Sequence, residues 1–439
     1  MLSPSTDTAG LPQVYRNGAV VPGAASELKS RTEADVVIVG AGFTGVSATL
    51  HLAEAGRKPL LIEAREVGWG ASGRNFGQVV PYTKNSEAHV LQHFGPVHGP
   101  RLMEATAKGP DLVFELIGRL GISCAAVRTG ILFSAHSQSG LSGLQKRADF
   151  WQKRGAPVEM LDDAATATIT GSEFYKAAMI DRRGGVINPL AYVCGMAQAA
   201  INAGAVLHTG TRVLSMNRTG IQWTLTTKDA VLTTSEVILA TDAYSDAFAP
   251  DLRDAMIPMR AYQLVSKPLG ENVRRAILPE GQSMIDTRRL FSGVRMHHDG
   301  RLHVSLDGPV FSAGQPHLAK AEKRVRELYP FLGDVEWDET WSGWVGMTAD
   351  HYPRLVRIGP GCFAAMGYNG RGIALATLFG RELARHLTGT PAEDLLVPIT
   401  APEKMSVKPF ARPLVGGLMA LYRVLDNVDD YRLRQQRNS

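Results

Sequence analysis

Between Asp35 and Ala64 the chain reads "DVVIVGAGFTGVSATLHLAEAGRKPLLIEA", and few folds accommodate that order of residues. Val36–Val39 is a β-branched run closed by a glycine, the pattern of a strand buried on both faces. Phe43 to Ala55 carries apolar residues at helical spacing (Val46, Leu50, Ala53), and Gly56 is its stop. Pro59 to Ile62 reads as a second strand, so the stretch predicts one βαβ unit. Each glycine of the turn has its own task. Gly40 permits the tight turn off the strand, Gly42 lets the main chain approach a pyrophosphate, and Gly45 lets helix lie close on strand. The helix start at Phe43 and Thr44 offers N–H groups and a positive dipole end to the phosphates. Glu63 stands about 20 residues after the turn, the separation taken by an acid that binds a ribose. A carboxylate there accepts bonds from hydroxyls and repels a 2′-phosphate, which disfavours NADP. The pattern predicts a dinucleotide site, with a glycine turn in an ordinary α/β sheet as the alternative.

At 439 residues the chain is long enough for two or three domains. Hydrophobic residues at 44% and charged residues at 20% suit a packed globular enzyme rather than a disordered chain. The formal charge of +5 is spread without a long basic run or interleaved aromatics, which argues against nucleic-acid binding. Cys124, Cys194 and Cys362 lie far apart with no C-x-x-C spacing, so neither a metal site nor a disulfide framework is expected. The first 34 residues lack a basic segment followed by an apolar one. No stretch reaches the about 18 apolar residues of a spanning helix. The expectation is a soluble, cytoplasmic protein, monomer or homodimer.

Residues 1–30, rich in Ser, Pro, Thr, Ala and Gly, read as an arm draped over the surface. Residues 101–120 and 141–154 have helical spacing, and a helix is expected over Pro189–Asn202 before a strand at Val206–His208. Further strands are expected at Trp223–Thr227, Glu236–Leu239 and Phe363–Met366, the last leading into a helix over Ile373–Leu387. Residues 256–311 are strand-rich, with turns at Pro268–Gly270, Asp299–Gly300 and Asp307–Gly308. Nucleotide-binding elements thus recur in three pieces. The expected organisation is an arm (1–30), a discontinuous cofactor domain (31–90, 181–255 and 339–400), an interrupting substrate domain (91–180 and 256–338) and a helical tail (401–439). The tail's apolar run Leu414–Leu425, followed by arginines, reads as a helix packed back on the enzyme, with a dimer contact or a membrane surface as alternatives.

The loop after Glu63 separates FAD from NAD. Residues 65–78, "REVGWGASGRNFGQ", form a long polar, glycine-rich loop where an NAD domain returns to another helix. In the pattern of Gly68–Gln78 the chain resembles the D-amino-acid-oxidase-like superfamily of flavoproteins, most closely its gamma-glutamylputrescine oxidase branch. "EVILATDAYS" (Glu236–Ser245) and "FAAMGYNGRGIALATLFGRELA" (Phe363–Ala384) carry the likeness on, so that it spans residues 35–400 in order. The resemblance implies an α/β fold. A discontinuous Rossmann-like FAD-binding domain would be interrupted by an α+β substrate domain with an antiparallel sheet, as in the glutathione-reductase and D-amino-acid-oxidase type. It further implies cofactor contacts from Ala64, Arg65, Trp69, Gly70, Ala71, Ser72, Arg74, Asn75, Gly77 and Gln78 in the loop, and from Val213, Ala240 and Thr241. Gly346 and Met347, then Gly367, Asn369, Gly370, Arg371, Gly372 and Ile373, complete the implied set.

The chemistry this implies is oxidation of a C–N bond. An amine or amino-acid-like substrate passes a hydride from its α-carbon to FAD, the imine hydrolyses, and O2 or another acceptor takes the electrons. No nucleophile–base triad is expected, and H-E-x-x-H and G-x-S-x-G are absent. The helix after Gly372 aims its N-terminus at the ring edge that gains negative charge; Arg371 is either an added cation there or an outward, solvated arginine. Sarcosine-oxidase relatives anchor flavin through a cysteine that aligns with Gly346 in "WVGMTAD", so non-covalent FAD is expected. Their carboxylate-binding lysine aligns with Ala374, which argues against sarcosine. His303, in "DGRLHVS", falls where these relatives carry a lysine that assists oxygen. It reads either as a catalytic cation or as a strand histidine bonded to its neighbours. His297 and His298 read as solvated. Tyr262, Phe291, Trp341 and Trp344 are candidate pocket walls, and Arg295 a candidate partner for a substrate carboxylate; the alternatives are core aromatics and a surface arginine on an edge strand. Alternative functions are a non-catalytic or tRNA-modification-type flavoprotein, and a D-amino-acid dehydrogenase or glycine-oxidase-like enzyme.

Overall fold

The computed structural model describes residues 9–23, 27–307, 318–405 and 408–438. The expected turn at Gly308, the Leu414 side chain and arm residues 1–8 and 24–26 lie outside the described residues. The chain divides into two compact units. One gathers Met1–Cys124, Asn188–Met259 and Trp344–Lys408; the other gathers Ala125–Ile187, Arg260–Gly343 and Pro409–Ser439.

The first unit is built on a seven-stranded sheet in the order Ile399–Thr400, Arg354–Gly359, Cys362–Met366, Val237–Leu239, Val36–Val39, Pro59–Ile62, Val206–His208. From Cys362–Met366 onward neighbours run parallel, with Ile38 paired to Leu61 on one side and Ile238 on the other. Every residue of Val36–Val39, Pro59–Ile62 and Cys362–Met366 is buried, as inner parallel strands covered on both faces must be. The Phe43–Glu54 helix packs on the Gly372–Leu387 and Pro189–Asn202 helices. The first of these contacts is close because Gly380 presents no side chain to Thr44 and Ser47. A four-stranded sheet of Thr32–Glu33, Val231–Thr234, Gln222–Thr226 and Ser215–Thr219 completes the unit, and Trp223 Nε1 ties it down by donating to Pro360 O at 2.8 Å.

Two parts of this unit depart from expectation. The Glu87–Ala107 and Gly109–Arg119 helices, expected in the substrate domain, belong here. Gly109 lies so near the Gly372–Leu387 helix that a Cβ on it would stand 3.2 Å from the Ala374 Cβ, and Arg119 pairs with Glu54 at 2.6 Å. The described arm is exposed at Val20 and Val21 but is anchored at two residues rather than only draped over the surface. Leu11 and Tyr15 are buried, Tyr15 O–H donates to Asn75 O at 2.8 Å, and Asn188 Nδ2 donates to Tyr15 O at 2.9 Å. Burying an aromatic ring outweighs the arm's polar composition.

The second unit carries an eight-stranded sheet in the order Trp337–Met347, Ile257–Pro268, Arg301–Asp307, Ser292–Met296, Ser283–Asp286, Ile131–Ser134, Ala178–Asp181, Val158–Leu161. Its described pairings are antiparallel except that Ser283–Asp286 runs parallel to Ile131–Ser134. One face holds an apolar core in which Leu264, Val304 and Leu306 meet Ala321, Val325 and Leu328 of the Leu318–Leu328 helix. The Lys408–Asn438 helix packs back, as expected, but through its acidic side. Asp426 accepts from Arg289 at 2.9 Å and from the Leu290 N–H at 3.0 Å, Asp429 accepts from Arg289 at 2.9 Å, and Asp430 pairs with Arg288. Leu418, Leu421, Val424, Leu425, Val428 and Tyr431 remain exposed. Among the described residues no helix is long and apolar enough to cross a membrane.

Candidate active site

Three turns meet at the C-terminal ends of the parallel strands in the first unit, the place where open α/β sheets receive ligands. In the first, Gly40 has φ +105°, and a Cβ on it would stand 2.9 Å from Ala240 O. A Cβ on Gly45 would run into the Gly40 carbonyl oxygen and stand 3.2 Å from the Ala240 Cβ. Gly42 faces Ser72, whose Oγ accepts the Phe43 N–H at 2.9 Å. Thr44 Oγ1 and Tyr368 O–H are 2.7 Å apart, which links this helix start to the third turn. Glu63 Oε2 accepts the Ala41 N–H at 2.8 Å and Oε1 the Arg65 N–H at 2.9 Å. Each oxygen keeps a second lone pair for a hydroxyl. Desolvation holds this carboxyl above its ordinary pKa, against the backbone N–H bonds that lower it.

The loop from Ala64 to Gln78 folds around Trp69. The Arg74 guanidinium lies 4.4 Å above its ring and that of Arg65 lies 5.3 Å away, while Tyr244 meets it edge-on at 5.7 Å. Arg74 is buried and donates to Ala9 O, so the arm is part of the loop's support. Ala71–Gly73 forms a 3-10 turn. Asn75 closes it, donating to Ala71 O at 3.1 Å and Ser72 O at 2.9 Å and accepting the Gly77 N–H at 2.9 Å. Gly70 leaves room for the Tyr244 ring. Ser72 is thus the loop side chain bonded to the helix start, whereas Arg74 and Asn75 bond to the arm and to the loop itself. Val213 lies in the apolar core.

The second and third turns are tied by two side chains. Asn369, at φ +52°, accepts the Thr348 N–H at 3.0 Å and donates to Gly367 O. Asp242 accepts the Gly367 N–H at 3.2 Å. Sequence reasoning passed over Asp242; its one signal was a carboxylate directly after Ala240–Thr241. Thr241 Oγ1 meets Ser245 Oγ at 2.7 Å, and Tyr244 O–H accepts the Trp344 N–H at 3.2 Å. Arg371 stands at the N-cap position of the Gly372–Leu387 helix without a side-chain capping bond, partly exposed, with Ile373 buried. These surroundings fit a dinucleotide: glycines that admit no Cβ, helix N-termini, and an acid at the ribose position.

In the second unit the pleat sorts the expected substrate residues. Arg295 pairs across the strands with His303, and Gln263 with Ser305, all on one face. Tyr262, fully buried, pairs with Leu306 and so lies on the other face of the sheet. Phe291 is exposed, and Trp344 falls in the first unit. His303 Nε2 lies 2.9 Å from Gln263 Oε1, its Nδ1 lies 3.0 Å from His297 Nε2, and its ring sits 5.3 Å from Trp341. Burial, with His297 and Arg295 adding repulsion, holds its pKa well below the ordinary value. These surroundings disfavour the charged ring and favour the second reading of His303, a strand histidine bonded to its neighbours. His297, expected to be solvated, is half-buried, and desolvation lowers its pKa too. Arg295 is buried on an inner strand, not on an edge, and donates to Ile187 O at 3.1 Å.

His136, Asp426 and Asp429 form a group with metal-like spacing. The Arg289 guanidinium already bridges the two carboxylates, so their charge is met within the protein. The three cysteines are free and buried, and burial pushes each thiol up to about 12.

A family model described as FAD dependent oxidoreductase matches residues 35–386. The chain is 31% identical over 360 residues to gamma-glutamylputrescine oxidoreductase of Escherichia coli, covering 81% of this chain and 84% of that protein. It is 29% identical over 365 residues to the probable oxidoreductase OrdL of Haemophilus influenzae, covering 81% and 83%. The crystal structure of glycine oxidase from Geobacillus kaustophilus shares the fold, with a TM-score of 0.68 and 22% identity over 81% of this chain and 95% of that one. With the glycine cradle and its ribose acid in place, these matches make the chain a member of the DAO family of FAD-dependent oxidoreductases.

Proposed function

We propose that the protein oxidises the carbon–nitrogen bond of an amine or amino-acid-like substrate. Bound FAD supplies the chemistry, accepting two electrons from the carbon that bears the nitrogen. The first unit holds the cofactor and the second selects the substrate. In this reading the N-terminal N–H groups of the Gly372–Leu387 helix would stabilise the negative charge that reduction gives the bound flavin. Gly346 supports non-covalent attachment. It lacks a thiol, and any side chain there would stand 2.7 Å from Met256 Sδ. The neutral His303–Gln263 pair donates and accepts hydrogen bonds without adding charge, which suits a substrate amine held unprotonated. A cytoplasmic setting suits three unpaired, buried cysteines.

The observation that carries the reading is the likeness to gamma-glutamylputrescine oxidoreductase over four-fifths of the chain, joined to Ala374 at the position of the carboxylate-binding lysine. A γ-glutamyl-type amine is therefore the favoured substrate class, with O2 or another compound as the final acceptor. The test is anaerobic bleaching of the flavin by γ-glutamylated diamines, free polyamines, N-alkyl amino acids, glycine and cyclic imino acids. A γ-glutamylated diamine should bleach fastest, with peroxide appearing in air if O2 is the acceptor. Bleaching by simple amino acids alone refutes the substrate class.

A further inference from the structure

Just beyond the central strand Val237–Leu239 the main chain takes a conformation that side chains rarely allow: Asp242 has φ +38°. Aspartate tolerates this region better than most residues, but the strain persists only where the surroundings hold it. Here the carboxylate does the holding. It accepts the Gly367 N–H at 3.2 Å and the N–H groups of Ala243 and Gly346. Three converging main-chain donors form a nest for an anion. They come from three pieces of chain: the residue's own turn, the end of the Trp337–Met347 strand, and the glycine segment that opens the Gly372–Leu387 helix. The carboxylate also occupies the space beside Gly346, where a Cβ would stand 2.9 Å from Oδ2.

We infer that Asp242 is a positioning residue for the cofactor: as a carboxylate it sets the separation of Gly346–Met347 from Gly367–Gly372, and FAD affinity depends on that separation. The inference rests on flavin binding and not on the substrate proposed above. Desolvation pushes the Asp242 pKa up to about 6 against the backbone N–H bonds that lower it. A raised carboxyl favours the folded, FAD-free protein most at low pH, and that contribution is lost as pH rises through about 6. Cofactor affinity runs the opposite way. Protonation removes an acceptor from the nest, so affinity falls as pH drops through about 6. The titratable groups nearby are the Tyr368 phenol, raised by burial and uncharged throughout this range, and the Tyr244 phenol on the same turn. Glu63 belongs to the nucleotide site and titrates in wild type and variant alike, so comparing the two removes its contribution.

The test measures FAD dissociation constants of the FAD-free protein by flavin fluorescence between pH 5 and pH 8, beside thermal unfolding of the same samples. Wild type is expected to bind about tenfold more weakly at pH 5 than at pH 7.5, the loss of one hydrogen bond to a charged group. Asp242→Asn should bind about tenfold more weakly at pH 7.5, respond less to acid, and melt no lower than wild type. Asp242→Ser should show the same loss of affinity. Either variant binding FAD as wild type does, with the same pH profile, overturns the inference. So does a loss of affinity that only follows a loss of fold in both variants. Wild-type protein that takes up no FAD overturns it together with the flavin assignment on which it rests.

Discussion

Gly380→Ala adds one methyl group where the Gly372–Leu387 and Phe43–Glu54 helices cross. The new Cβ would stand 2.8 Å from the Ser47 Cβ and 3.0 Å from the Ala48 N, and closer still to the Thr44 carbonyl oxygen. Carbon atoms in contact settle at about 3.5–4.0 Å, so the helices must part by roughly 1 Å. Two of the three neighbours are main-chain atoms that no rotamer change can move. Overpacking of this kind costs about 1–3 kcal/mol. Separation also stretches the bond from Ser47 Oγ to Thr377 O, now 2.6 Å, at a further cost of about 1 kcal/mol. Alanine's better helix propensity returns about 1 kcal/mol. The net expectation is a loss of about 2 kcal/mol. In the proposed cofactor site both helices present their N-termini to the nucleotide, so FAD affinity should fall about tenfold as well. Gly143→Ala is the control. It lies exposed within the Gln138–Gln152 helix with no atom near its Cβ, and should stabilise by about 0.5–1 kcal/mol. Urea unfolding of the FAD-free proteins and flavin fluorescence titration measure both effects. A Gly380→Ala protein as stable as the Gly143→Ala control refutes the argument that this glycine is required by the helix crossing.

Two other outcomes are expected. Glu63→Gln should weaken FAD binding by about ten- to a hundredfold, the value of one charge-assisted bond; unchanged affinity by calorimetry would remove Glu63 from the ribose. Arg289→Ala leaves Asp426 and Asp429 without their shared guanidinium, so amide hydrogen exchange across residues 416–432 should accelerate. Unaltered exchange would mean that the acidic face does not dock the tail helix.

The local pattern of residues sufficed for the parts of the fold whose cause is local. The Val36–Val39 and Pro59–Ile62 strands and the Pro189–Asn202 helix stand where their spacing placed them, because β-branched runs, proline at a helix start and glycine stops act within a few residues. The glycine turn was legible for the same reason: Gly40 and Gly45 are demanded by backbone geometry within one turn. What the pattern could not carry was the chemical state of groups whose partners are distant along the chain. Asp242 meets Gly367 across 125 positions and His303 meets Gln263 across 40. Their protonation follows from desolvation and neighbours that exist only after folding. The same holds for the arm, drawn in by Tyr15 against a carbonyl 60 positions away, and for the tail, whose docked face was chosen by Arg288 and Arg289 rather than by its own apolar stripe. Periodicity says that a helix has two faces; only the charges waiting on the neighbouring surface decide which one is used.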